Sequence, residues 1–186
     1  MNKLNICIDI DGTITSPYHF IPYLNELYSK NITEEEYNTH NWENLYGVDI
    51  LTIMSEFHKK YMHSYTEAKI VDNAKNVIDN LRKYHNLYFV TARHNKLEDI
   101  TKNWLSENGF DDIEVYLLGS DYKVEKAKEL ECNIFIEDNP SNAMQLASEG
   151  MKVLLIDTNY NKYVEHENII RVNNWIDINS FIKEYN

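Results

Sequence analysis

Five short apolar runs constrain the fold of this chain more than any other feature. Each is short, and most are rich in β-branched or aromatic residues, as buried strands are. Helical patterns separate the last four runs, and strands that alternate with helices form a parallel sheet with helices on both faces. The sequence therefore predicts an α/β fold with a three-layer, doubly wound parallel sheet. The runs cover residues 4–10, 86–91, 113–118, 133–138 and 152–157.

The first gap between these runs differs from the others. About 75 residues separate the first run from the second and carry no strand signal. The helical pattern at 65–85 at the end of this gap is assigned to the sheet layer. Residues 16–65 instead predict a small helical insertion, which leaves 1–15 and 66–186 as the α/β core. After residue 158 the chain is polar, with a short NIIRV run that predicts an edge strand and a closing helix near 175–184.

Side chains suited to chemistry stand at the ends of the predicted strands. In an open parallel sheet, ligands bind beyond the carboxyl ends of the strands. Two acids stand at the end of the first run, a hydroxyl and a guanidinium at the end of the second, and an acidic pair ends the fourth. An ammonium group opens the helix before the fourth run. These residues are Asp9, Asp11, Thr91, Arg93, Glu137, Asp138 and Lys123.

The carboxylates in this set predict a bound cation. Strand residues two apart face the same side, so Asp9 and Asp11 can converge if the strand continues that far. Several carboxylates in a small space repel one another, and a hard divalent ion with oxygen ligands resolves the conflict. Mg²⁺ is the ion expected, because it binds one or two carboxylates together with substrate phosphate. Gly12 lets the backbone turn sharply beside the ligand.

Charge and composition reduce the range of binding partners expected for this chain. The formal net charge of −12 argues against a nonspecific nucleic-acid binder and against binding to an anionic membrane. It is compatible with a small phosphorylated substrate, which needs only a few local positive groups. No apolar segment is long enough to span a bilayer. Two cysteines and no apolar segment after Met1 predict a cytoplasmic location.

Four motifs in order resemble those of the haloacid dehalogenase superfamily of phosphatases. ICIDIDGT resembles the first motif, YFVTAR the second and IFIEDNP the fourth, while Lys123 resembles the third-motif lysine. The resemblance implies a Rossmann-like core and a helical cap formed by residues 16–65. Within the capped branch, the sequence is most similar to the 5'(3')-deoxyribonucleotidases, in cap length, TAR and IEDNP.

The resemblance implies catalytic and metal-binding roles. Asp9 would attack phosphorus and form an aspartyl-phosphate. Asp11 would protonate the leaving oxygen and then accept a proton from water. Asp9, Asp138 and the backbone carbonyl of Asp11 would hold Mg²⁺, and Glu137 would reach the ion through water or tune Asp138.

Phosphate contacts are implied at two further motifs. Thr91 would donate a hydrogen bond to the phosphoryl oxygens, and Lys123 would offset their charge. Lys126 is an alternative to Lys123, since it follows closely in the sequence. Arg93 could bind phosphate or substrate, or could form a surface ion pair.

The substrate remains open between several classes. A nucleoside monophosphate is favoured, with Tyr18, Phe20, Trp42 and Tyr46 as candidates to contact the base, although core packing is the other use for each. A sugar phosphate or phosphoglycolate is the rival, and a polynucleotide 3'-phosphate is disfavoured because long nucleic acid needs a basic track. A domain that binds phosphate or a protein partner without turnover is the non-enzymatic alternative. The presence of both Asp9 and Asp11 argues against it.

Overall fold

A computed structural model describes residues 2–185, and its centre is a six-stranded sheet in which every strand pairing is parallel. The strands lie in the order β3-β2-β1-β4-β5-β6. The five predicted runs each contain one strand, and the NIIRV run forms β6 at one edge, as predicted. The strands are β1 (Asn5–Ile8), β2 (Asn86–Thr91), β3 (Glu114–Leu117), β4 (Ile134–Glu137), β5 (Lys152–Ile156) and β6 (Ile169–Val172).

The order of the strands places a crevice beside β1. From β1 the chain adds β2 and β3 on one side, and it then returns to lay β4 on the other side of β1. Ile6 accordingly pairs with Leu87 of β2 and with Ile134 of β4. This reversal is a topological switch point, where doubly wound sheets bind ligands beyond the strand ends.

Helices cover both faces of the sheet, which confirms the three-layer α/β fold. Alternate residues of the strands enter two separate apolar clusters, so Ile8 packs on one face and Cys7 on the other. The helices are α1 (Ile21–Tyr28), α2 (Trp42–Tyr46), α3 (Ile50–Tyr61), α4 (Ser64–Glu67), α5 (Ala74–Leu81), α6 (Glu98–Glu107), α7 (Val124–Glu129), α8 (Pro140–Ser148) and α9 (Trp175–Tyr185), with a 3₁₀ turn at Asn95–Leu97. Helices α5, α6 and α9 cover one face, and α7 and α8 cover the other.

The helical pattern at 65–85 forms two helices rather than one. Helix α4 ends at Glu67 and α5 begins at Ala74. Between them Ile70 forms an antiparallel bridge with Thr15, and the Val71 amide donates to the Ile14 carbonyl at 3.0 Å. These tertiary hydrogen bonds hold the segment extended, so the local helical pattern is interrupted there. The chain segments on either side of residues 16–65 therefore lie next to each other.

The segment between these crossings has an apolar cluster of its own. Its helices α1 to α4 contribute most of the buried members, and Leu97 contributes from the core side. The members from the segment are Leu24, Tyr46, Ile53, Phe57, Tyr61 and Tyr65. A shared apolar cluster fits the predicted cap at 16–65, and the division of the chain into core and cap remains a prediction.

Across residues 2–185, each helix is too short or too polar to cross a membrane.

Candidate active site

Asp9 lies at the end of β1, in the crevice next to β4. The strand ladder extends one step past β1, because the Asp9 amide donates to the Ile136 carbonyl at 3.0 Å. The strand itself ends at Ile8, and residues 11–14 form a turn in which three successive amides, those of Thr13, Ile14 and Thr15, donate to the Ile10 carbonyl. The alternation of a strand therefore does not reach Asp11, and the two acids meet different partners.

Lys123 faces Asp9 from the segment that begins α7. Its ammonium lies 2.5 Å from Oδ1 of Asp9 and 2.8 Å from Oε2 of Glu137, and its side chain is 1% exposed. Burial alone would lower the pKa of Lys123, but the two carboxylates outweigh it and raise the pKa above its ordinary value. The lysine is therefore charged. Lys126, the alternative, lies elsewhere: its ammonium is 2.5 Å from Glu129.

Asp138 follows β4 and faces the same crevice. Its Oδ1 accepts a hydrogen bond from the Thr13 hydroxyl at 3.2 Å, and its Oδ2 accepts one from the Tyr160 hydroxyl. The Asn161 amide group also donates to the Asp138 carbonyl oxygen at 2.8 Å. The carboxyl group is thus fixed in position by donors from the turn after β1 and from the loop after β5.

Glu137 is the acid best supplied with hydrogen bonds. Its Oε1 accepts from the backbone amides of Asp138 and Asn139, at 3.1 and 3.0 Å. Its Oε2 accepts from Lys123 at 2.8 Å and from Asn142 at 3.4 Å. Both oxygens of Glu137 are thus engaged within the protein, and its predicted role, to reach the ion through water or to tune Asp138, stays a prediction.

Ligand oxygens of Asp9, Glu137 and Asp138 all lie within 4.8 Å of one another, so the three buried acids could hold a metal ion. Burial raises the pKa of Asp9 to about 7, against the opposing effect of Lys123. Burial, together with Glu137 and Asp9, raises the pKa of Asp138 well above its ordinary value. Both shifts arise chiefly from burial, the neighbouring carboxyl groups add to them and Lys123 opposes them, so a divalent cation would supply positive charge that the site lacks.

The backbone of Gly12 lies close to one of these acids, Asp138. Its φ is +87°, and a Cβ placed there would lie 2.2 Å from Oδ2 of Asp138. The turn therefore brings bare backbone against the carboxylate, which any other residue would prevent. The donor set is all oxygen, as Mg²⁺ requires. These residues fit a hard divalent ion.

Thr91 ends β2 and Arg93 follows it, at the same edge of the sheet. The Thr91 hydroxyl is buried and accepts a hydrogen bond from the Arg93 amide at 3.2 Å, so its own hydrogen can still be donated to a ligand. The Arg93 side chain is also buried, at 2% exposure, and its guanidinium binds the Asp11 carboxylate. Arg93 therefore forms an ion pair, but its guanidinium is buried and does not lie on the surface as that alternative had it; the predicted binding of phosphate or substrate stays a prediction.

A cavity of about 1050 Å³ lies between this edge of the sheet and the helices of the insertion. Asp11, Gly12 and Asp138 line it from the sheet side. Phe20 and Trp42 line it from the insertion, beside apolar side chains of α3. The floor of the cavity, on the sheet side, is therefore polar and acidic, and its wall, on the side of the insertion, is apolar and aromatic.

The other two aromatic candidates do not line this cavity. Tyr18 accepts a hydrogen bond from the Asn159 amide at 3.0 Å and contacts the ring of Tyr160 edge-on. Tyr46 is buried in the apolar cluster of the insertion and packs against Tyr28. Both positions fit the packing interpretation rather than contact with a substrate.

Two residues at the site were missed by sequence reasoning. Thr13 belongs to the Asp-Gly-Thr motif, so the motif was a usable signal for its contact with Asp138. Tyr160 lies in the polar segment after residue 158, and no local pattern marks it. Its ring packs against Tyr37 and His40 of the insertion, with centroids 5.5 and 5.3 Å away.

Known proteins resemble this chain in sequence and in fold. The family described as 5' nucleotidase, deoxy (pyrimidine), cytosolic type C protein matches residues 2–185. A nucleotidase of Clostridium acetobutylicum, CA_C3379, is 40% identical over 179 residues, which cover 96% of this chain and 93% of that protein. A 5'(3')-deoxyribonucleotidase of the same organism is 24% identical, over 95% of this chain and 93% of its own length.

The solved structures extend the likeness in fold. A conserved haloacid dehalogenase-like protein of unknown function from Agrobacterium tumefaciens, ATU0790, has a TM-score of 0.72 at 12% identity, and 99% of each chain is covered. A hydrolase of the haloacid dehalogenase-like family from Streptococcus pneumoniae, SP0104, has a TM-score of 0.70 at 12% identity, over 97% of this chain and 98% of the other.

Proposed function

The chain belongs to the cytosolic type C family of deoxy (pyrimidine) 5' nucleotidases, within the haloacid dehalogenase-like hydrolases, and on that premise we propose that it hydrolyses nucleoside 5'-monophosphates through an aspartyl-phosphate on Asp9. The observation that carries this mechanism is the position of Asp9. Its carboxyl group lies in the switch-point crevice, next to the charged Lys123 and within 4.8 Å of Asp138.

In the first step, a carboxylate oxygen of Asp9 attacks phosphorus, and the bond between phosphorus and the ester oxygen breaks. Asp11 gives its proton to the leaving alcohol, and the phosphoryl group stays on Asp9. In the second step, water attacks the phosphorus of the aspartyl-phosphate, Asp11 takes a proton from that water, the bond between phosphorus and the Asp9 oxygen breaks, and inorganic phosphate leaves the regenerated carboxylate. Lys123 and the Thr91 hydroxyl stabilise the charge on the phosphoryl oxygens.

Asp9, Asp138 and the backbone carbonyl of Asp11 are the residues proposed to hold Mg²⁺. When bound, the ion would supply positive charge that stabilises the phosphoryl oxygens and the carboxylates of Asp9 and Asp138. Glu137 orients Lys123 and the start of α8 through its four hydrogen bonds. Gly12 lets the turn after β1 lie against Asp138, because the Cβ of any other residue would be 2.2 Å from Oδ2 of Asp138.

A pyrimidine deoxynucleoside 5'-monophosphate is the substrate that this proposal favours. Phe20 and Trp42 line the cavity opposite the acidic floor and can stack on a flat base, worth about 1–3 kcal/mol for a good stacking contact. Residues 16–65 act as the cap that carries this wall. The two cysteines are free thiols, which fits the cytoplasmic location that we propose.

A panel of phosphate esters with Mg²⁺ tests the proposal. It includes deoxynucleoside and ribonucleoside monophosphates, sugar phosphates, phosphoglycolate and a 3'-phosphorylated oligonucleotide. We expect hydrolysis of thymidine or deoxyuridine monophosphate, lost on chelation and in Asp9→Asn. Equal rates on sugar phosphates or phosphoglycolate would contradict the nucleotide assignment. Activity retained by Asp9→Asn would contradict the covalent mechanism.

Asp11→Asn separates two roles of one residue. This variant should lose turnover and keep its affinity for Mg²⁺, because the backbone oxygen and not the side chain is the proposed ligand. Mg²⁺ binding is measured by calorimetry, without reference to activity. Loss of Mg²⁺ binding in Asp11→Asn would show that its side chain holds the ion.

A further inference from the structure

Asp11 is held by a two-point ion pair with Arg93. The Arg93 Nε lies 2.7 Å from Oδ2 of Asp11, and its Nη2 lies 2.6 Å from Oδ1. Side-by-side pairing of this kind fixes the plane of the carboxyl group as well as its position. Asp11 keeps contact with the cavity, because its side chain is 25% exposed while that of Arg93 is 2% exposed.

The guanidinium is itself fixed from its other sides. Its Nη1 donates to the Thr101 hydroxyl at 3.1 Å, and Thr101 is fully buried on α6. The ring of Tyr65, at α4, lies over the guanidinium with 4.8 Å between the Arg93 carbon and the ring centroid. The backbone amide of Arg93 donates to Thr91. The contacts with Thr101 and Tyr65 hold the guanidinium in the orientation that faces Asp11, and the hydrogen bond to Thr91 fixes the backbone from which the side chain extends.

This arrangement does not suit a phosphate ligand. Three nitrogens of the Arg93 side chain already donate within the protein, and the side chain has almost no exposed surface. A phosphoryl group at Arg93 would compete with Asp11 for the guanidinium. Lys123 is also buried and paired, but its ammonium stands directly against Asp9, the proposed nucleophile. Lys123 is therefore the better placed of the two toward a phosphoryl group on Asp9.

We propose that Arg93 is a positioning residue for Asp11: it holds the carboxyl group at the cavity wall, where it exchanges a proton with the leaving oxygen and with water. The inference rests on the proposed function above. The guanidinium uses one lone pair of each carboxylate oxygen, so the remaining lone pairs are available toward the cavity. Thr101 and Tyr65 keep the guanidinium in place.

The leaving group of the substrate distinguishes positioning from phosphate binding. The alcohol released from thymidine monophosphate needs a proton, whereas p-nitrophenolate departs without one. In single-turnover experiments with Mg²⁺, Arg93→Met should release thymidine about 100-fold more slowly than the wild type. Release of p-nitrophenolate should fall by no more than about fivefold, and the KM of both esters should change by less than about threefold.

Two further variants cover a failure of Arg93→Met to fold. Thr101→Val keeps the shape of a buried side chain and removes one support of the guanidinium, so it should show the same selective loss at about 5- to 20-fold. Arg93→Lys cannot make the two-point pair and should resemble Arg93→Met. Arg82→Met is the matched control, since Arg82 pairs with Asp112 at 2.6 Å on the surface, and neither ester should be affected.

Two outcomes would overturn the inference alone. One is a rise in KM for both esters with unchanged single-turnover rates, which is the signature of a phosphate ligand. The other is an equal loss of rate on both esters. A wild-type protein that hydrolyses neither ester would overturn the proposed function, and this inference with it.

Discussion

The ammonium group of Lys123 lies 2.5 Å from Oδ1 of Asp9, although 114 residues separate the two along the chain. Both side chains are almost fully buried, at 1% and 7% exposure. A buried charge is tolerated when it is paired and hydrogen-bonded, and Lys123 is also 2.8 Å from Glu137. The lysine therefore holds two buried carboxyl groups in place, in addition to its proposed role toward the phosphoryl group.

Lys123→Met should affect both stability and catalysis. The change leaves two buried acids without their cation, so we expect a loss of about 3–5 kcal/mol in the free energy of unfolding. The rate of nucleotide hydrolysis should fall at least about 100-fold, because the charge opposite the phosphoryl oxygens is removed. Urea unfolding and steady-state assays measure the two effects. Lys126→Met is the control and should change neither by much; inactivity of Lys126→Met alone would reverse the assignment.

Gly12→Ala should weaken the metal site. The new Cβ would lie 2.2 Å from Oδ2 of Asp138, so the carboxylate must move. Gly150→Ala is a matched control, because Gly150 has a similar φ of +85° and no heavy atom within 4 Å of its Cβ position. Both variants should lose about 1 kcal/mol of stability through backbone strain. Only Gly12→Ala should lose Mg²⁺ affinity, by at least about tenfold, in calorimetric titrations. Equal Mg²⁺ affinities in the two variants would contradict the crowding argument.

Features that depend on local pattern could be predicted from the sequence. Strand β2 has the predicted bounds, 86–91, because its apolar residues at 87–90 stand between the polar Asn86 and Thr91. The placement of Asp9 and Asp138 at one edge of the sheet also follows, since parallel strands bring their carboxyl ends to one edge. Their nearness required in addition the order of the strands, which places β4 beside β1 and which no local pattern encodes.

Features that depend on tertiary contacts could not be predicted in this way. The break between α4 and α5 arises because Ile70 pairs with Thr15, a contact that no helical pattern encodes. Arg93 reaches Asp11 across 82 residues of sequence. Tyr160 reaches Asp138 from a polar loop without a motif. In each case the deciding hydrogen bond joins segments whose relative placement only the complete fold sets.

Tyr160→Phe should lower the affinity for Mg²⁺ and leave the fold intact. The phenol donates to Oδ2 of Asp138, while Thr13 alone would still hold Oδ1. Groups that orient a ligand carboxylate contribute about 10-fold to metal affinity, so a loss near that size is expected by calorimetry. Tyr163→Phe, in the same loop and 75% exposed, should bind Mg²⁺ like the wild type. Unchanged binding in Tyr160→Phe would show that Asp138 needs no such support.

The contribution of Asp9 to the stability of the metal-free protein should fall as the pH rises from 5 to 8. The pKa of Asp9 is about 7 in the folded state, chiefly because of burial, against an ordinary value of 3.8. The folded state therefore binds this proton more tightly than the unfolded state, so the stabilisation is complete below about pH 4 and is lost as the pH rises through about 7. In EDTA, we expect the melting temperature of the wild type to drop by on the order of 5 °C across that window relative to that of Asp9→Asn. The comparison with Asp9→Asn is needed because burial lowers the pKa of His40, His58 and His85, and these histidines add stability as the pH rises. Saturating Mg²⁺ should remove the difference, because the ion replaces the proton. Identical pH profiles of the wild type and Asp9→Asn in EDTA would contradict the burial of this acid.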